Sequence, residues 1–365
     1  MRDPITPDEF DRALRPLLLD AVASGATPGA QVALSLAGAE PRFIAVGTLD
    51  GAADHPVSDA TVYDLASLTK PLTALAAVRL SQSGVLSLDE PLGALWPSRF
   101  GGATAALRLD ALLSHRGGLP AWIAAYEQVA LSECGTAKAR ERVLDVVASS
   151  PISKGGEAVY SDLGYILAGE AIAHRAGAAI DEVVRREVIA PLGLGELQAR
   201  GVGERWRAAE VAPTERCPWR GRVVQGEVHD ENAYAMGGVA GHAGLFGTAA
   251  AMAALGRACL DGLRGEGGWL GPERLEEMIA PRPGGSHRLG WDGVSPGASS
   301  SGRHFGPRAF GHLGFTGTSL WCEPELDVAV ALVTNRVHPS RASVGIRALR
   351  PRVHDAIIDA LRRNA

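Results

Sequence analysis

The sequence predicts an α/β (α+β) fold, with a central antiparallel sheet made by the N- and C-terminal segments, flanked by helices, and a mostly helical region inserted between them. Three observations carry this. Short apolar runs bounded by Gly and Pro, the mark of strands, fall at both ends of the chain: Gln31 to Leu36, Arg42 to Val46, Thr318 to Cys322 and Leu326 to Thr334. From about residue 90 to 245 the text is helical patches broken by Gly and Pro. With 365 residues, 46% of them hydrophobic, the chain can hold two structural regions over one core. Strands at both ends are expected to meet in one sheet. Residues 1–90 and 246–365 are therefore read as one α/β region and 91–245 as the helical insertion.

The elements follow in order. Thr6-Pro7-Asp8-Glu9 has the form of a capping box with Pro at the first helical position, and Phe10, Leu14, Leu17, Leu18 and Val22 mark one apolar face of the helix it opens. Gly25 and Pro28-Gly29 stop that helix. The runs at 31–36 and 42–46, separated by Gly38 and Pro41, read as a hairpin. A helix is expected from about Asp64 to Gly84, turning Leu68, Leu72, Leu75, Ala76 and Leu80 inward, with further helices over Leu163 to Ala176 and Ile180 to Ile189. Arg341 to Arg363 closes the chain as a helix whose apolar face includes Val344, Ile346, Leu349, Val353 and Ile357.

Composition excludes several function classes. A net charge of −5 supplies no basic field for a phosphate backbone, so nucleic acid is not an expected partner. No segment approaches the roughly 20 apolar residues of a membrane span. The start Met1-Arg2-Asp3-Pro4, with Leu17-Leu18-Leu19 broken at once by Asp20, lacks the form of a secretory signal, and a cytoplasmic location is expected. The four cysteines, Cys134, Cys217, Cys259 and Cys322, are scattered and read as free thiols. Only three of the 36 basic residues are lysine: Lys70, Lys138 and Lys154. Arginine keeps its proton at neutral pH whereas lysine can be made to give it up, so a lysine kept in an arginine-rich chain draws attention.

Lys70 lies in Ala66-Ser67-Leu68-Thr69-Lys70, at the start of an expected helix. Residues three apart share a helix face, so the Lys70 amine can reach the Ser67 hydroxyl. A helix N-terminus and burial both disfavour a positive charge, which predicts a neutral amine able to take the Ser67 proton. The competing reading is a capping serine beside a solvent-facing lysine. Tyr160-Ser161-Asp162 follows Gly155-Gly156 and enters the helix of Leu163 to Ala176. Near a cation, that Tyr can sit partly as phenolate and exchange protons. Its competing reading is a packed Tyr with Asp162 as N-cap. His312-Leu313-Gly314 precedes the last strand pair, where Gly314 would let backbone approach a substrate closely and Phe315 would donate its N–H.

Taken in order, Ser67-x-x-Lys70, Tyr160-x-Asp162 and His312-x-Gly314 resemble the signature of serine β-lactamases and penicillin-binding proteins, with the Tyr pointing to the class C branch and its esterase relatives. The segments Leu112 to Pro120, Gly241 to Phe246 and Asn335 add to the likeness, which spans nearly the whole chain. The resemblance implies an acyl-serine hydrolase acting on small esters or amides without a cofactor. Ser67 would be the nucleophile, Lys70 its activator and Tyr160 the proton relay. The N–H groups of Ser67 and Phe315 would form the oxyanion hole, with Asp162, His312 and Gly314 contacting substrate.

Three departures bear on the substrate. Asp162 stands for the usual Asn, His312 for the usual Lys, and Leu313 for the usual hydroxyl residue. The family grips a substrate carboxylate at that third motif, so its weakening argues for esters or less anionic amides. Arg336 or Arg341 could restore the lost charge. The rival readings are a D-alanyl-peptide or cell-wall-fragment hydrolase, a weak β-lactamase, and a penicillin-binding-like receptor without turnover. His229-Asp230-Glu231 with His242 invites a metal reading, but no helix-spaced ligand pair supports one. A polar loop is expected instead, and the resemblance implies that it lies near the site mouth and contacts substrate. No G-x-S-x-G elbow or P-loop occurs in the chain.

Overall fold

Six strands pair antiparallel in the order 42–47, 29–36, 328–334, 319–323, 310–313, 292–293. The computed structural model describes residues 5–154, 157–203, 206–207 and 210–364, so Gly155-Gly156 fall outside the described residues. Both ends of the chain build the sheet, as the apolar runs predict: Ala30 lies opposite Thr334 and Leu36 opposite Val328. Two strands go beyond the expectation. Phe310–Leu313 takes His312 into the sheet opposite Leu320, and Asp292–Gly293 forms the short outer edge.

Strand side chains alternate between faces, and each face has its own cover. Val32, Leu34, Val330 and Leu332 point to the terminal helices Pro7–Ala23 and Ile346–Asn364. Ala33, Ala329, Ala331 and Val333 point to the opposite layer, where helix Ala249–Leu263 lies. Small residues on this face let the helix approach closely. A Cβ on Gly256 would stand 2.8 Å from the Ala329 Cβ and 2.9 Å from the Cys322 Sγ.

The first helix starts as its capping box predicts. Thr6 Oγ1 accepts the Glu9 N–H at 3.3 Å, and Glu9 Oε2 accepts the Thr6 N–H at 2.9 Å. The second begins with a 3-10 turn, Ala66–Leu68, before the regular helix Thr69–Gln82. It is buried on every side rather than on one face, because it runs through the middle of the large core between sheet layer and helical region. Asp162–Ala176 is capped by Ser161, not Asp162: Ser161 Oγ accepts the Gly164 N–H at 3.2 Å, and Gly177 ends the helix at φ 65°. The expected helix from Ile180 holds as α only to Val184, then widens into a π turn over Arg185–Ile189.

The C-terminal helix begins at Ile346, not Arg341. The Arg336 guanidinium takes the carbonyls of Arg341 at 3.0 Å and Ser343 at 2.7 Å, which holds that stretch as a loop and leaves Val344 exposed. Among the described residues no helix is long and apolar enough to cross a membrane.

Gly256→Val forces extra methyls against Ala329 and Cys322 and should cost about 1–3 kcal/mol. A lowered urea midpoint at unchanged m-value checks this, and an unaltered midpoint would contradict the close helix–sheet approach.

Candidate active site

Backbone strain and a carboxylate place Ser67. Asp64 Oδ1 accepts the Ala66 N–H at 2.8 Å, and Ala66 adopts φ 50°, a left-handed conformation uncommon for a residue with a Cβ. The turn presents Ser67 to a cleft of about 690 Å³, whose lining also includes Tyr160, Asp162, His312, Gly314 and Phe315. Every residue singled out by the three motifs except Lys70 lines this cleft, and Lys70 lies directly behind it.

Lys70 is fully buried, and its Nζ donates to Ser67 Oγ at 2.8 Å and to the His242 carbonyl at 3.2 Å. Asp162 Oδ1 stands 2.7 Å from the same nitrogen. The sequence predicts a neutral amine here, and the structure corrects that. Burial presses the Lys70 pKa down, but the adjoining Asp162 and Tyr160 outweigh it and hold the group above its ordinary value. Lys70 is therefore an ammonium in the resting site. Tyr160 needs the converse correction. Burial raises its phenol, and the pull of Lys70 and the hydrogen bonds with Lys70 and Ser67 do not cancel that, so it is a neutral phenol rather than partly phenolate.

The second and third motifs are locked by their neighbours. His115, at φ 61°, accepts the Ser161 N–H on Nδ1 at 3.0 Å, and its ring centroid lies 4.6 Å from that of Tyr160. Arg116 ties the same loop to the carbonyls of Pro283 and His287, each at 2.8 Å. His312 is buried and held neutral by desolvation and by Lys70, and its Nδ1–H donates to the Leu313 carbonyl at 2.9 Å. A histidine of ordinary pKa would carry a fractional positive charge near neutral pH, and here that charge is absent. Gly314 lines the cleft and is also required to be glycine by its own neighbours. A Cβ there would collide with the Thr318 side chain and reach the Leu65 carbonyl at 2.5 Å. Phe315 faces the cleft, with its ring centroid 5.6 Å from that of His229 and 4.5 Å from the Arg336 guanidinium. Its N–H meets no acceptor among the described residues.

Both arginines named from sequence line the cleft, but neither offers an idle charge. Arg336 is spent on the carbonyls of Phe315, Arg341 and Ser343, and Arg341 is paired with Glu215 at 2.6 Å and Glu231 at 2.5 Å. Two others, which the sequence reading missed, also line the cleft. Arg350 is buried against the carbonyls of Gly314 at 2.7 Å and Thr318 at 2.9 Å with no acidic partner among the described residues, and burial with Arg336 pushes it down to about 9. Arg347 is exposed one turn away on the same helix. The signal was present in the text, since Arg350 interrupts the apolar stripe of Ile346, Leu349 and Val353.

The His229 loop lines the cleft and is braced from within. Asp64 Oδ2 accepts the His229 N–H at 2.6 Å, the His229 ring meets Glu215 at 2.9 Å, and the His242 ring meets Asp230 at 2.8 Å. Each imidazole is thus matched to a carboxylate, and among the described residues no three His, Cys, Asp or Glu side chains are grouped to hold a metal.

A family model described as Beta-lactamase matches residues 14–352. The chain belongs to the Beta-lactamase family. It is 30% identical over 308 residues to a protein named N-acetylmuramyl-L-alanine amidase from Bacillus subtilis (strain 168), covering 76% of this chain and 68% of that one. It is 28% identical over 307 residues to a putative D-alanyl-D-alanine carboxypeptidase from Escherichia coli (strain K12), covering 76% and 70%. Among solved structures, EstCE1, a hydrolase with promiscuous acyltransferase activity, aligns at TM-score 0.75 and 20% identity over 96% of this chain and 99% of its own. D-amino acid amidase from Ochrobactrum anthropi SV3 aligns at 0.73 and 24%, over 96% and 99%. As a β-lactamase-family protein the chain is a serine hydrolase.

The ion pair has a direct spectroscopic consequence. With only Lys70, Lys138 and Lys154 in the chain, lysine-labelled NMR should resolve three side chains, and the Lys70 signal should titrate above the ordinary lysine value. Asp162→Asn should move that resonance, and no other, to lower pH. A Lys70 signal that titrates identically in both proteins would contradict the pairing.

Proposed function

We propose that this serine hydrolase cleaves small amides or esters through an acyl intermediate on Ser67. One observation carries the reading: a buried Lys70 ammonium, 2.7 Å from Asp162, donates to Ser67 Oγ at 2.8 Å at the floor of a cleft. In this reading Ser67 Oγ attacks the acyl carbon, and the adjacent ammonium lowers the cost of the negative charge that grows on Oγ. Tyr160, whose ring centroid lies 4.9 Å from Lys70 Nζ, relays the proton between Oγ, the leaving group and the incoming water. The N–H groups of Ser67 and Phe315 receive the carbonyl oxygen as it becomes an oxyanion. Water then attacks the acyl-serine and the proton returns to Ser67.

The arginines favour a particular substrate within that class. His312 supplies no charge for a substrate carboxylate, but Arg350, beneath Gly314, and Arg347 beside it present cations without acidic partners among the described residues. This supports amides that end in a carboxylate over neutral esters, in line with the names of the carboxypeptidase and amidase relatives.

Ser67→Ala should abolish turnover of a p-nitrophenyl ester and labelling by a fluorophosphonate, and retention of both would end the proposal. Arg350→Met should raise KM for a carboxylate-ended D-alanyl dipeptide by roughly 10- to 100-fold, the worth of one hydrogen bond to a charged group, and leave KM for the neutral ester nearly unchanged. Equal effects on both substrates would remove the carboxylate preference.

A further inference from the structure

The Phe315 N–H meets no acceptor among the described residues, but the peptide unit it belongs to is firmly held. That unit joins the Gly314 carbonyl to the Phe315 nitrogen. The Gly314 carbonyl accepts two hydrogen bonds, from Arg350 Nη2 at 2.7 Å and from the Gly317 N–H at 3.1 Å. Gly314 donates its own N–H to the Thr318 carbonyl at 2.7 Å, and Arg350 Nη2 reaches that carbonyl too, at 2.9 Å. One nitrogen of the buried Arg350 therefore grips the turn at two points.

Hydroxyls fix the same turn against the Ser67 segment. Thr316 Oγ1 donates to the Asp64 carbonyl at 2.7 Å and Thr318 Oγ1 to the Leu65 carbonyl at 3.0 Å, and both threonines are buried. The two N–H groups assigned to the oxyanion thus sit on segments tied to each other. They differ in what lies behind them. The peptide that ends at the Ser67 nitrogen has its Ala66 carbonyl on the neutral Thr69 hydroxyl at 2.8 Å. The peptide that ends at the Phe315 nitrogen has its carbonyl on a guanidinium with no acidic partner among the described residues.

We propose that Arg350 acts through the Gly314–Phe315 peptide, positioning its N–H and making it a stronger donor to the oxyanion. The inference rests on the acyl-serine reading above. As the bond from Ser67 Oγ to the acyl carbon forms, the carbonyl π pair moves onto the acyl oxygen and negative charge gathers there. A cation at the oxygen end of a peptide draws electrons along its O–C–N atoms and leaves the N–H more positive. The benefit grows with the charge on the acceptor, so the oxyanion gains more than the ground-state carbonyl. Burial of Arg350 keeps that charge from being screened by water. For a neutral substrate the result is a higher kcat with little change in KM. The role is separate from any contact between the guanidinium and a substrate carboxylate.

The test compares a p-nitrophenyl ester with its thionoester, in which sulfur replaces the carbonyl oxygen, on the full chain with folding checked by circular dichroism. Neither substrate carries a carboxylate. Sulfur accepts hydrogen bonds weakly, so the oxo-to-thiono ratio of kcat reads the oxyanion donors and does not respond to loosened packing elsewhere. Arg350→Met should lower kcat for the oxo ester roughly 10-fold, part of the roughly 100- to 1000-fold that one oxyanion donor is worth, and shrink the ratio by a similar factor. Both gripped carbonyls keep a backbone donor in that variant, from Gly317 and Gly314. Arg350→Lys, whose single nitrogen can serve the same two carbonyls, should recover most of both losses. Arg350→Gln, a donor without charge, should fall between them and gives the reading if the Met variant does not fold. A folded Met or Gln variant with the wild-type ratio, or a Lys variant as impaired as Met, overturns the proposal while Ser67→Ala still reports on the acyl-serine reading. Ester turnover that survives Ser67→Ala would bring down both.

Discussion

Burying a lysine ammonium costs several kcal/mol unless charge and hydrogen bonds compensate it, and the centre of this protein is arranged around that requirement at Lys70. Ser67 Oγ and the His242 carbonyl take its hydrogen bonds, and Asp162 supplies the opposite charge at 2.7 Å. These partners come from three distant stretches of chain. The cation thus ties together the turn at Ala66–Leu68, the entry of helix Asp162–Ala176 and the loop at His242.

The loops around the cleft follow from holding those partners still. Asp230 fixes the His242 ring, and with it the carbonyl that Lys70 uses. Asp64 accepts both the Ala66 and the His229 N–H groups, which clamps the strained Ser67 turn to the same loop. His115 grips the Ser161 N–H and so sets the position of the Tyr160 to Asp162 segment. Several of these groups titrate on their own, yet within the fold they act as braces.

Much of the architecture was legible because local pattern and tertiary need agree. Apolar runs became sheet strands with both ends of the chain paired, and Thr6-Pro7-Asp8-Glu9 became a capped helix. The 341–345 stretch misled because its helical pattern gives way to Arg336, which reaches across the loop for two carbonyls, and sequence spacing carries no sign of that. In the site, the closeness of Ser67 and Lys70 could be read from their three-residue spacing. The protonation state of Lys70 could not, because it depends on a carboxylate 92 positions later in the chain.

The departures from the usual motifs then make sense together. An amide at 162 with a lysine at 312 would place the site's fixed positive charge at the third motif, where it would repel a second charge on Lys70. Here the acidic side chain at 162 keeps the charge on Lys70. That ammonium in turn helps hold His312 neutral. The pair of exchanges moves one positive charge from the strand to the nucleophile's own neighbour. Any cation for an anionic substrate must then come from elsewhere in the fold. In the reading proposed above that cation is Arg350, anchored by the Gly314 and Thr318 carbonyls on the same strand end that His312 leaves uncharged.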